Sequence, residues 1–184
     1  MPARHGIRTV MAFGALALAL PASLYADAVT VWNNNAGVAA TAACLAPLNN
    51  PLHESRIYAM MHVAIHDALN AIDRRSRPYA FDVQAEASAS PDAAVAAAAR
   101  DVLVALIGQL PLELLTQACI NAGVASAEAA YTAALLPIPD NEAKTQGIAV
   151  GQAAATKKHS PVELAAATAL ANVILNLEEI TTRE

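Results

Sequence analysis

The chain has 184 residues, 56% hydrophobic, 15% charged and 4% aromatic, with a formal net charge of -5. That hydrophobicity excludes a disordered chain, and the acidic balance speaks against nucleic acid as a partner, which calls for a basic stripe. Alanine supplies about a quarter of the residues, and it is the best helix former while carrying little apolar area, so the composition predicts an all-α fold with a small-residue core.

Arg4 and Arg8 precede an apolar stretch, residues 9–20, that is too short for a bilayer span and is broken by Pro21. Ala26-Asp27-Ala28 fits a small-x-small cleavage pattern. Residues 1–28 are therefore expected to be a signal peptide, and the location periplasmic or secreted. Export permits disulfides. Cys44 and Cys119 lack a neighbouring histidine or basic residue, which argues against a catalytic thiolate. Two small buried core residues are the favoured reading; the alternative is a bridge that ties the first helical region to the middle of the chain.

Val29 to Trp32 is the only β-branched run, and it leads into a first helix expected over 36–45. Pro47, Asn49, Asn50 and Pro51 form a break. The strongest helix is expected over 52–74. There Ile57, Met60, Met61, Ala64, Ile65, Ala68 and Ile72 recur at three- and four-residue steps, with Ala59, Val63 and Leu69 on the other side. A helix apolar nearly all round is buried, which puts this one at the centre of the bundle.

Ser90-Pro91-Asp92 combines a capping serine, a first-turn proline and an acid at the positive helix end. It opens a helix running to Leu110. Further helices are expected over 112–121, stopped by Gly123, over 126–136, and from a cap at Asp140 to about 158. Gly147, Gly151 and Ala155 share one face of that helix and invite close approach of another. Ser160-Pro161-Val162-Glu163 is a capping box for a last helix. Its uncharged run is too short for a membrane span, so no stable span is expected after leader cleavage.

Two histidines invite a chemical reading. His62 and His66 lie four apart, on one helical face, at zinc-binding spacing. Val63 stands where H-E-x-x-H places its general-base glutamate, so a metalloprotease is excluded. A metal site would need acids from another helix, such as Glu128 or Glu142. The bland alternative is two histidines satisfied inside a crowded bundle. Arg74, Arg75 and Arg77 form a basic cluster that suits a phosphate or a solvated helix end; Asp67 and Asp73 can neutralise part of it. Lys157, Lys158 and His159 are expected to be solvated. The chain has no glycine-rich phosphate loop, G-x-S-x-G elbow or C-x-x-C pair.

The stretch from Ser55 through Arg56, Met60-Met61-His62, His66-Asp67-Ala68-Leu69-Asn70 to Ile72, followed by Arg77-Pro78-Tyr79, resembles the N-terminal half of vanadium-dependent haloperoxidase-related proteins. These belong to the type-2 phosphatidic acid phosphatase superfamily. Val31-Trp32-Asn33, the alanine-rich 93–106 segment and the turn Ile138-Pro139-Asp140 leading to Lys144-Thr145-Gln146-Gly147 agree with it. The likeness spans residues 29 to 155, and it divides the chain into 1–28, a bundle over 29–156 and a divergent C-terminal helix over 157–184.

The resemblance implies an all-α N-terminal bundle of about five to seven helices. In complete members a second bundle binds vanadate or phosphate through lysine, arginines, a Ser-Gly-His element and a histidine. Cations and donors of that kind stabilise an oxyanion. This sequence has no Pro-Ser-Gly-His. Arg56, five residues and then His62 has the spacing of the family's last anion-binding motif, but His66 stands where its aspartate belongs and the order along the chain is wrong. The expectation is an exported helical domain that lacks the anion-binding half, carries no cofactor and is not catalytic alone. A truncated or frame-shifted homologue would have these features. The alternatives are an acid phosphatase or haloperoxidase with a non-standard site using Arg56 and His62, a metal-binding bundle using His62 and His66, and a structural or partner-binding module. An exposed apolar helical face would favour a homo-oligomer.

Overall fold

The computed structural model describes residues 23–45, 51–111 and 115–157. Most of the expected signal peptide (residues 1–22) and the expected last helix beyond 157 lie outside the described residues. Among the described residues the protein is all-helical: α1 (Ser23–Ala42), α2 (Pro51–Ile72), α3 (Pro91–Gly108), α4 (Gln117–Leu135) and α5 (Glu142–Ala155).

The centre of the bundle is α3 rather than α2. It packs against each of the other four helices, and its seven consecutive residues Ala93–Ala99 are all buried. Its start is the one expected: the Ser90 side chain accepts from the Ala93 N–H, with Pro91 in the first turn. Six of those seven residues are alanine, so neighbouring backbones come close. A β-carbon on Gly147 would strike the Ser90 carbonyl oxygen, and one on Gly151 would strike the Ala94 carbonyl oxygen. The third small residue buried on this face is Ala154, one position before the expected Ala155.

The helices α2, α3 and α5 end two to three residues earlier than the sequence expectation, and three boundaries differ in kind. The first helix begins 13 residues earlier, because Trp32, Ala36, Ala39, Ala40 and Ala43 form one buried stripe that outweighs the weak helix preference of Val29, Thr30 and Asn33 to Asn35. The two helices expected over 112–136 are one, α4. Gly123 does not stop it; the residue lets α1 approach, since a β-carbon there would lie 2.5 Å from the Ala43 β-carbon. The cap of α5 is Asn141, whose side chain accepts from the Lys144 N–H. Asp140 instead pairs with the Lys144 ammonium at 2.7 Å, and that ammonium also donates to the Leu135 and Ile138 carbonyls at the end of α4.

The cysteines form a disulfide, contrary to the expectation of two unbridged core residues. The two positions are 75 residues apart, and only the packing of α1 on α4 brings them together. Cys44 ends α1 in the left-handed region, with φ 60°. There the Leu45 N–H reaches the Ala40 carbonyl and the Cys44 N–H reaches the Thr41 carbonyl, which is a Schellman turn. Closing a loop of this length removes about 4 kcal/mol of unfolded-chain entropy.

Candidate functional site

Three polar residues of the resembling stretch, His66, Asp67 and Asn70, gather where α2 ends and the chain turns back along it. Asp67 is 1% exposed in a helix buried mainly through apolar side chains, with Ser55 and Asn70 the other buried polar residues among those described. It accepts three consecutive backbone N–H groups: Tyr79 at 2.8 Å, Ala80 at 2.7 Å and Phe81 at 2.8 Å. Burial, the largest single influence, pushes the carboxyl up; the three N–H bonds and His66 together outweigh it, so the group sits below its ordinary 3.8 and stays ionised.

One turn further on, Asn70 holds the corner itself. Its side-chain oxygen accepts from the Arg75 and Ser76 backbone N–H groups, each at 3.1 Å. Those two donors fix which end of the amide is oxygen. The amide nitrogen then donates to Ser76 Oγ at 3.0 Å and lies against the His66 ring. His66 Nε2 is 2.8 Å from Ser76 Oγ, and its Nδ1 is 3.1 Å from Asp67 Oδ1. The Tyr79 ring meets the His66 ring edge to face at 5.2 Å. A cavity of about 220 Å³ opens beside this group, lined in part by Leu69, Ile72, Arg75 and Pro91.

The residues singled out by spacing do not converge here. His62 donates from Nε2 to Asn33 Oδ1 on α1 at 2.9 Å, and burial pushes its pKa below 6.5. Arg56 is exposed, and six positions along a helix set it about 120° around the axis from His62. His62 and His66 share a helix but have separate partners. Glu128 lies 3.5 Å from Arg100, and Glu142 accepts from Gln146. Among the described residues no three histidine, cysteine, aspartate or glutamate side chains gather as metal ligands.

In the basic cluster Arg74 pairs with Asp82 at 2.6 Å and Arg75 with Asp73 at 2.7 Å, while Arg77 is exposed. Asp73 therefore has its expected role, whereas Asp67 binds backbone. Lys157 is exposed as expected; Lys158 and His159 lie outside the described residues. No helix among the described residues is long and apolar enough to cross a membrane.

Sequence reasoning missed Asp67 as an anchor and Ser76 altogether. A signal for the first was present: a carboxylate within a helix apolar nearly all round has to find donors. Ser76 gave none, because its closeness to His66 depends on the corner that Asn70 builds. No protein-family model, curated protein or solved structure matches the chain.

Proposed function

We propose that this chain is a helical packing module of an exported protein, similar to the N-terminal bundle of vanadium-dependent haloperoxidase-related proteins, and that it does not perform that family's oxyanion chemistry by itself. The observation that carries this reading is the Asp67 clamp. The helical part of the resembling stretch and its Arg77-Pro78-Tyr79 part are one structural unit, joined by the bonds from Tyr79, Ala80 and Phe81 to Asp67. Of the polar residues of the stretch, His62 is engaged with Asn33 and Asn70 with the corner at 75–76, while Arg56 and Arg77 are exposed. These contacts support packing rather than a cationic anion cradle. Periplasmic or secreted location belongs to the same proposal and rests on the leader pattern.

Two assays test it. Purified protein is expected to give no p-nitrophenyl phosphate hydrolysis and no vanadate-dependent halide oxidation. Robust turnover of either kind, lost in His62→Ala, would overturn the reading in favour of a phosphatase or haloperoxidase. The outward face of α1 carries Val31 and Val38, 49% and 53% exposed, and self-association through that face is part of the proposal. Sedimentation is expected to show a dimer or larger species that Val31→Lys/Val38→Lys dissociates; a monomer at all concentrations removes this part.

A further inference from the structure

The cluster at the end of α2 has an order that its anchoring role does not require. We propose that Ser76, His66 and Asp67 form a nucleophile–base–carboxylate relay that hydrolyses short-chain carboxylic esters. The proposal does not depend on the family reading, since it concerns acyl rather than oxyanion substrates.

The geometry is that of an activated serine. A nucleophile within hydrogen-bond reach of a base, itself oriented by a third group, defines such sites whatever the fold. Here Ser76 Oγ is 2.8 Å from His66 Nε2, and His66 Nδ1 is 3.1 Å from Asp67 Oδ1. Asp67 is buried and locked by backbone N–H groups, so it orients the ring with Nδ1 toward the carboxylate; the tautomer protonated at Nδ1 is the one whose Nε2 accepts from Ser76 Oγ, with the Asn70 amide nitrogen also 3.0 Å from that Nε2. Ser76 is exposed and His66 about one-third exposed, which makes the reacting end accessible. The Asn70 amide nitrogen, 3.0 Å from Ser76 Oγ, is aimed by the two N–H groups on its oxygen. It is placed to donate to a negative oxygen forming next to that hydroxyl. The adjoining cavity of about 220 Å³ offers Leu69, Ile72 and Pro91 to a short acyl chain.

The steps balance. Ser76 Oγ bonds to the ester carbonyl carbon as its proton passes to His66 Nε2 and the carbonyl π pair moves onto oxygen, beside Asn70. The carbonyl re-forms as the bond to the alkoxy oxygen breaks, and His66 returns the proton to that oxygen, releasing an alcohol. Water then attacks the acyl carbon, giving its proton to His66. The bond to Ser76 Oγ breaks, the oxygen takes the proton back, and a carboxylic acid leaves.

An alkyl fluorophosphonate probe, read by intact mass and peptide mapping, tests this on the purified chain. The expected result is one adduct per chain on Ser76, absent in Ser76→Ala and formed about a hundredfold more slowly in His66→Gln, the lower end of general-base contributions. p-Nitrophenyl acetate hydrolysis should fall in the same variants. Labelling of the wild-type protein should vanish in urea, a comparison that needs no variant to fold. No adduct, an adduct on another residue, a His66→Gln rate equal to wild type in a folded protein, or equal labelling of folded and unfolded chain would each overturn the proposal.

Discussion

The seam between α3 and α5 and the junction between α2 and the segment that follows it hold together by opposite means. In the seam, Gly147 and Gly151 lie against the backbone of α3 beside Ala93 and Ala97. Both partners are helices, so their backbone groups are already satisfied. Apart from the Ser90 N–H donating to the Ala143 carbonyl at 2.7 Å and Ser88 Oγ donating to Gln146 at its end, the cohesion is dispersion between closely spaced backbones. The segment after α2 is irregular between Asp73 and Ser90, so its N–H groups need acceptors from elsewhere. Asp67 supplies one acceptor group for three of them and Asn70 one for two more. The seam is therefore sensitive to size and the junction to charge.

The largest effect is expected at the junction. Asp67→Ala leaves three backbone donors without their acceptor, and charge-assisted bonds are the strong kind. The expected loss is roughly 3–5 kcal/mol in urea unfolding. Amide exchange should accelerate at Tyr79, Ala80 and Phe81 before it does in α3. Uniform acceleration across the bundle would show that the junction is no separate unit. Gly151→Ala probes the seam. It gains about 1 kcal/mol of helix propensity but drives a methyl into the Ala94 carbonyl and within 2.8 Å of the Ala97 β-carbon. Overpacking of rigid backbone costs about 1–3 kcal/mol, so a net loss of about 1 kcal/mol is expected, with protection at Tyr79 to Phe81 unchanged. A stabilised Gly151→Ala variant would mean that α5 can move away without penalty.

What the sequence made legible follows the same division. The helical nature of the chain, the cap at Ser90 and the glycine face of α5 are local signals, and each is present in the structure. The bounds of α1 were not legible, because burial of Trp32 and the alanines behind it decided them against local preference. Gly123 misled because the same residue ends helices and admits close neighbours, and only the position of α1 distinguishes the two. The Cys44–Cys119 bridge, the Asp67 clamp and the Ser76–His66 contact all join residues whose proximity is set by tertiary packing or by an irregular corner. Spacing along a helix pointed instead to His62 with Arg56 or with His66; all three lie on α2, where His62 meets Asn33 and His66 meets Ser76.

The smallest expected effect separates the two regions by pH. Burial holds His62 below 6.5 in the folded protein, where it donates to Asn33 across the α1–α2 contact. The unfolded chain takes up this proton near 6.5 and the folded chain only at lower pH. Between those values the unfolded state binds more protons, so stability is complete above 6.5 and declines as the pH falls through and below it. Asp67 acts in the same direction but lower. Its folded value lies under 3.8, so its contribution is intact above 3.8 and is lost as the pH falls further. Urea midpoints measured from pH 7.5 to 3 should therefore decline in two steps. His62→Gln should flatten the upper step and leave the lower one. Asp67→Asn should shrink the lower step, to which Asp140, also held below 3.8 by Lys144, contributes, with the cost of the substitution already present at neutral pH. An upper step unchanged in His62→Gln would show that the α1–α2 contact does not exclude the charged imidazole.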